Sequence, residues 1–306
     1  MTKRKIEMQN NSEITISQLI EAPPHLSKTK RFVRVFFGRG IVIFGFVVII
    51  LLFVTSVFAS VLVPYDPYEP DMSAILVHPS STHWLGTDTL GRDTLSRIIY
   101  GSRNSLIVGL AAVALAGTIG MVLGLTAGYF GGITNMIIMR IMDASMSIPM
   151  ILMAVTVSAL LGGGIGNVTI AIGIALIPVY ARLMCGQVLI VKQNDYITAS
   201  RASGASNFQI MLKHIVPNCL PPLIVLLTMQ IGMAILSEAS LSFLGVGIKA
   251  PDAAWGSMVS EGYTYLLRNP VLSIAPGAAI MLVVFAFNMV GDGLRDALDP
   301  RLRGVL

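Results

Sequence analysis

Six apolar runs separated by shorter polar connections set the pattern of this chain: Ile41 to Val63, Ser105 to Gly128, about Met136 to Leu161, Asn167 to Ile190, Leu220 to Leu244 and Leu272 to Val290. A helix rises about 1.5 Å per residue, so each run can cross a hydrocarbon core of about 30 Å. None alternates polar and apolar positions as a strand does, and unpaired backbone groups in lipid are too costly, so all six are predicted helical. The pattern therefore predicts an all-α fold, a polytopic membrane helix bundle with six transmembrane helices. The third run is the least clean, because Arg140 and Asp143 stand near its start. Three residues apart, they share a helical face and are expected to pair near the water interface.

The polar stretches divide the chain into a tail (1–40), the first transmembrane helix (41–63), an external segment (64–102), a five-helix core (103–293) and a C-terminal segment (294–306). The tail is basic, contains Pro23-Pro24 and has no apolar period, so it is expected to be mobile. In the external segment Leu95, Ile98 and Ile99 form an amphipathic patch, expected to lie along the membrane surface and lead into the second span. The basic residues before the first run could suggest a secretory signal. That run exceeds a signal's apolar region of roughly 7–15 residues, and Val63-Pro64-Tyr65-Asp66 is not a cleavage site, so it reads as a retained anchor.

Composition agrees: 54% of the 306 residues are hydrophobic and 12% charged, which excludes a water-soluble globule. A formal charge of +5 does not point to nucleic acid, since the basic residues flank the apolar runs rather than gathering on one face. They report topology instead. Lys3, Arg4, Lys5, Lys28, Lys30, Arg31, Arg34, Arg39, Arg140, Lys192, Arg201, Lys213, Arg295, Arg301 and Arg303 fall on one side of the alternating spans. Only Arg92, Arg97, Arg103, Lys249 and Arg268 fall on the other, so both termini are expected in the cytoplasm. Arg182, within the fourth span, is expected to snorkel to the cytoplasmic interface.

Little in the sequence suggests chemistry. Cys185 and Cys219 form no CxxC pair, the four histidines (His25, His78, His83 and His214) have no metal spacing, and no nucleophile stands with a base. No Gly-Lys dipeptide occurs, hence no phosphate-cradling loop, and the glycines of Gly162-Gly163-Gly164-Ile165-Gly166 read as a flexible helix connection. No catalytic residue, metal or cofactor is predicted for this chain. Ala112, Ala116, Gly120, Gly124 and Gly128 recur every fourth residue and predict close approach of another helix, in this chain or another. Glu238, inside the fifth span, is costly in lipid and is expected to line a pathway or join a polar lock with a partner subunit, and Arg140 and Asp143 are candidates for the same pathway or inter-subunit polar role. Asp252 and Trp255 are candidates for contact with a delivery protein, or Trp255 for an interface anchor.

The most informative stretch runs from 195 to 217. Gly204 is placed to take the left-handed conformation that ends a helix, Ser206 with Gln209 forms a capping box that starts the next, and Pro217 is expected to close that one. A short helix across the end of a bundle, with the small residues Ala199, Ala202 and Ala205, presents a knob to a partner protein. The segment resembles the coupling loop of ATP-binding-cassette (ABC) import permeases, Glu-Ala-Ala, three residues, Gly, nine residues, Ile-x-Leu-Pro. Here Thr198-Ala199-Ser200 precedes Gly204, and His214-Ile215-Val216-Pro217 follows at the matching spacing.

Other stretches resemble the C-type subunit of the dipeptide, oligopeptide and nickel permeases. They are His83-Trp84-Leu85-Gly86-Thr87-Asp88-Thr89-Leu90-Gly91-Arg92-Asp93, Gly128-Tyr129-Phe130-Gly131-Gly132, Met139-Arg140-Ile141-Met142-Asp143 with Pro149, Glu238 to Gly245, Trp255-Gly256 and Gly291 to Arg301. The resemblance implies a type I ABC importer permease in the cytoplasmic membrane, with Thr198, Ala199, Ser200, Arg201, Gly204, Ala205, Ser206 and Pro217 contacting an ATPase. It implies a related second permease, two cytoplasmic ATPase subunits that hold ATP and Mg, an extracytoplasmic binding protein and a lipid bilayer as partners. Peptide is the substrate it most often implies, with nickel chelates, glutathione or opines as alternatives. A secondary transporter would show inverted repeats or several intramembrane charges, and a membrane enzyme a convergent polar set; neither is found.

Overall fold

The computed structural model describes residues 28–298, and the regular structure among them is helical apart from one isolated bridge between Thr87 and Asp93. In chain order the helices are α1 (Lys28–Phe36), α2 (Gly40–Val57), α3 (Ala59–Leu62), α4 (Thr94–Phe130), α5 (Gly132–Met146), α6 (Met150–Leu161) and α7 (Ile165–Lys192). They continue with α8 (Asp195–Ala202), α9 (Asn207–Ile210), a π-helical turn (Met211–Ile215), α10 (Val216–Phe243), α11 (Trp255–Tyr263) and α12 (Val271–Leu298). Five stretches are long and apolar enough to cross a membrane: α2, α4, α7, α12 and the continuous helix Asn207–Phe243. The expected third span is instead a broken pair, α5 and α6, bent by 89° across residues 147–149. Pro149 has no N–H to give the ladder and disfavours helical backbone in Ile148, so the helix stops there.

The pair still carries the chain across the bundle. Tyr129, at the end of α4, bonds to Asn207 at the start of the 37-residue helix Asn207–Phe243, while Gly164, just before α7, bonds through its N–H to Gly247 past that helix's far end. Residues 132–161 must therefore connect the two ends. The same parity puts Arg39 and Asp296, joined by a 2.8 Å ion pair, at the Asn207 end.

The stripe on α4 finds its partner within this chain. A Cβ on Gly124 would sit 2.3 Å from the Ala181 carbonyl oxygen and 2.7 Å from Met184 Cβ, and one on Gly120 would sit 2.6 Å from Tyr180 Cβ. Only glycine allows α4 and α7 to lie this close, and dispersion between the two backbones then replaces the hydrophobic drive that lipid removes.

Three further expectations change. The patch at Leu95, Ile98 and Ile99 leads into the second span but is not an element apart from it: it forms the first turns of α4, capped by Asp93, whose Oδ2 accepts from the Ser96 N–H and hydroxyl at 2.8 Å each. Pro217 does not close a helix, because the π turn before it widens the ladder where proline lacks a donor and crowds the carbonyl four residues back. The last part of the expected tail is ordered: Phe32 and Phe36 of α1 stack, and Phe36 and Phe37 meet Phe46 edge to face, seating α1 beside α2 and α12. Residues 1–27 and 299–306 lie outside the described residues, as do the tail's first basic residues and Arg301 and Arg303.

Candidate functional site

α8 ends in a full left-handed cap. Gly204 has φ +81°, its N–H bonds to the Arg201 carbonyl at 3.1 Å, and the Ala205 N–H bonds to the Ser200 carbonyl at 3.1 Å. This is the double bond pattern of a Schellman cap. Ser206 Oγ accepts from the Gln209 N–H at 3.3 Å, so the serine half of the expected capping box forms. Thr198, Ala199, Arg201, Gly204 and Ser206 are exposed, Ser200 and Ala205 half-buried, and Pro217 is exposed on the first turn of α10. Phe208, 68% exposed, stands on the next helix and enlarges the surface.

This surface is firmly based. Ile197, Ile210 and Ile215 are buried and pack with Met184, Val188, Cys219 and Leu223 of α7 and α10. Burying an aliphatic side chain contributes about 1.5–3 kcal/mol, so the three isoleucines hold the segment as a unit. Tyr129 keys it to α4: its hydroxyl donates to Asn207 Oδ1 at 2.7 Å, its carbonyl accepts from Lys192 Nζ at 2.6 Å, and Lys192 and Arg201 lie over its ring at 5.6 and 6.0 Å. In the sequence Tyr129 stands out only as part of the 128–132 motif; its link to Asn207, 78 residues on, has no local signal.

Glu238 lies elsewhere than expected. It is fully buried, with Ser105 Oγ of α4 donating to Oε2 at 3.0 Å and Ser242 Oγ donating to Oε1 at 2.8 Å. Ser242 Oγ in turn accepts from the Ile248 N–H at 3.0 Å. The carboxyl therefore faces neither a pathway nor a subunit surface: it joins α4, α10 and the following loop within one chain. Asp143 also departs from expectation, pairing with Arg182 of α7 rather than with Arg140, which is exposed. Arg182, half exposed on α7, is the partner of this carboxylate.

At the opposite end, Trp255 is buried, not offered to a partner or an interface. Its indole N–H donates to the Ile98 carbonyl at 2.9 Å over Gly101. Asp88 binds Arg92 Nε at 2.7 Å and faces Arg97 Nε at 3.5 Å, while His83 Nδ1 lies 2.9 Å from Asp93. The glycines at 162–164, all at positive φ, form a turn docked on Gly247.

Residues 120–304 match the family model described as binding-protein-dependent transport system inner membrane component. The chain belongs to this family. Residues 27–79 match a second model, the N-terminal transmembrane domain of oligopeptide transport permease C. Among curated relatives, a probable D,D-dipeptide transport system permease protein of Escherichia coli is 43% identical over 87% of this chain and 90% of its own length. A glutathione transport system permease protein of Pectobacterium atrosepticum is 42% identical over 90% and 91%, and a dipeptide transport system permease protein of Alkalihalophilus pseudofirmus 43% over 85% and 86%. Inward-facing MetNI, a methionine ABC transporter, shares the fold at TM-score 0.56 and 21% identity over 67% of this chain and 97% of that one.

A binding-protein-dependent inner membrane component is a transport permease subunit of an ABC importer, a non-catalytic part of the machine. The geometry suits that role. Glycine contacts and a buried polar bridge lock the membrane helices together, and one stiff helix stands exposed at one end.

Proposed function

We propose that this permease imports short peptides across the cytoplasmic membrane, and that the α8 segment, residues 195–217 with Thr198, Ala199, Ser200, Arg201, Gly204, Ala205, Ser206 and Pro217, transmits the work of a separate ATPase. The observation that carries this is the contrast within the 195–217 segment, exposed along α8 and fixed to α4, α7 and α10 through Ile197 of α8, Ile210 of α9 and the bond from Tyr129 to Asn207. A surface held this stiffly moves its bundle when a partner moves it. ATP and Mg belong to two cytoplasmic ATPase subunits; a related second permease completes the pathway, and an extracytoplasmic binding protein delivers the substrate. The basic residues near α1 and α8 support a cytoplasmic location for that end and both termini. The bundle then alternates between inward-facing and outward-facing states as the ATPases close and open. Dipeptide and glutathione permeases among the relatives support a small peptide, and glutathione, itself a modified tripeptide, is the second reading.

The test is purification of the tagged chain in mild detergent, followed by reconstitution with whatever accompanies it in stoichiometric amount. A second permease and ATPase chains should copurify, and uptake of labelled dipeptide should require ATP and the binding protein. A chain that purifies alone and transports without an ATPase would overturn the reading.

A further inference from the structure

The helix that precedes the first span is strongly basic. Residues 28–40 hold Lys28, Lys30, Arg31, Arg34 and Arg39 and no acid. Were α1 and α2 one straight helix, residues 36 and 46 would stand about 15 Å apart along it. The Phe36 and Phe46 ring centroids are instead 6.1 Å apart, so the chain turns at residues 37–39 and α1 lies back against the first turns of α2. Phe32 and Phe36 also belong to the cluster that holds Leu294 and Ala297 of α12. The opposite face of α1 is the open one. Lys30, Val33, Arg34 and Phe37 are all exposed there, at the spacing of a single helical stripe, and the Phe37 N–H continues the ladder to the Val33 carbonyl at 3.0 Å.

We propose that this stripe binds the headgroup of an anionic phospholipid, whose acyl chains run along the outer face of α2. Cations beside apolar residues on one face suit a helix at the boundary between headgroups and hydrocarbon: Arg34 and Lys30 meet the phosphate, Val33 and Phe37 the start of the chains. The outer face of α2 decides for lipid over a protein partner. From Ile41 to Val57 every exposed residue is Ile, Leu, Val or Phe. Helices that pack on helices in a membrane use small residues, as α2 does on its inner side, where a Cβ on Gly45 would lie 3.0 Å from the Ala286 carbonyl oxygen of α12. A face of bulky aliphatic and aromatic side chains with no small residue suits acyl chains instead. The far end of the same span has the opposite sign: residues 64–75 contain Asp66, Glu69 and Asp71 and no base, and give an anionic headgroup nothing to bind. The inference needs α2 to span the membrane; it depends neither on the transported substrate nor on which side α1 faces.

The test reads the lipid beside α1 directly. Phe37→Trp in a Trp84→Phe background, with the buried Trp255 as a constant signal, is reconstituted together with its copurifying partners in phosphatidylcholine liposomes. These hold an equal fraction of either brominated phosphatidylglycerol or brominated phosphatidylcholine. Bromine quenches indole fluorescence on contact, so the two reagents compare the affinities of the two headgroups at that place. Phosphatidylglycerol should be preferred at least about fivefold, the weight of one basic residue at an anionic surface. Lys30→Gln together with Arg34→Gln should remove most of that preference and leave quenching by phosphatidylcholine in place; Arg39 is spared because it pairs with Asp296. Val61→Trp, exposed at the far end of the span, should show no preference. Equal quenching of Phe37→Trp by the two lipids, a preference that survives the double replacement, or the same preference at Val61→Trp would overturn the proposal. Quenching in the isolated subunit but none in the assembled transporter would mean that a protein partner covers α1, and would overturn it as well.

Discussion

At the end of the bundle where α4 begins, Asp88, Arg92, Asp93 and Arg97 are each less than a tenth exposed, and they pair with one another or with nearby backbone. At the end where α7 finishes, Thr198, Ala199, Arg201 and Gly204 lie on the surface of a helix whose other face is packed. The first end is complete within one chain. The second is rigid with an open surface, which the proposed coupling role would fill with another molecule. Substitutions at the two ends should therefore fail differently: at the first as loss of folded protein, at the second as loss of communication in a protein that folds.

The largest effect is expected from Asp88→Ala. The carboxylate holds Arg92 and accepts from the Leu90 and Arg92 N–H groups at 2.9 and 3.0 Å, so its loss takes the nearest carboxylate from two buried cations, leaving Arg92 only Glu261 at 3.8 Å and Arg97 the Pro67 carbonyl. A cost of about 3–5 kcal/mol is expected, seen as a lower melting temperature in detergent and a poor yield of monodisperse protein. An unchanged melting temperature would break the comparison at its stronger end. Gly204→Ala comes next. The space around a Cβ there is open, so the penalty arises from φ +81° alone, about 1–2 kcal/mol. It should appear as faster amide exchange at residues 204 and 205, with little change in global melting.

What could be read from the sequence divides along the same physical line. The spans, the left-handed Gly204, the Ser206 cap and the small-residue stripe rest on neighbours within a few turns, and the chain's own pattern reports those. The Asp143–Arg182 pair, the Tyr129–Asn207 key and the burial of Glu238 depend on how separate helices register, which no local pattern encodes. Arg140, three residues from Asp143, is the nearer and wrong partner for that reason. Pro217 misleads differently: a proline ordinarily stops a helix, and the π turn that accommodates it leaves no mark in composition. Trp255 suggests an interface by residue type, although its place is set by Gly101, which leaves room for the indole.

Tyr129→Phe sharpens the comparison because it acts inside the open end without touching its surface. It deletes one hydrogen bond, to Asn207, worth about 0.5–1.5 kcal/mol, and keeps the ring under Lys192 and Arg201. Stability should fall slightly. If α8 transmits force through this key, transport per ATP hydrolysed should fall in the reconstituted complex. A stability loss with unchanged coupling would reduce Tyr129 to a packing residue.

The smallest effect on folding, and the clearest on function, is expected from Ala199→Trp. Ala199 is exposed on α8, so the larger side chain meets solvent in the isolated subunit and should change stability by no more than about 0.5 kcal/mol. On the proposed coupling role the same bulk would stand where an ATPase approaches, so ATPase chains should no longer copurify, or ATP should be hydrolysed without uptake. Trp84→Ala is the matched control: Trp84 is 72% exposed at the other end, and its removal should leave ATPase recovery unchanged. Normal recovery and uptake with Ala199→Trp would mean that the exposed face of α8 touches nothing, and the distinction between a complete and an open end would lose its functional meaning.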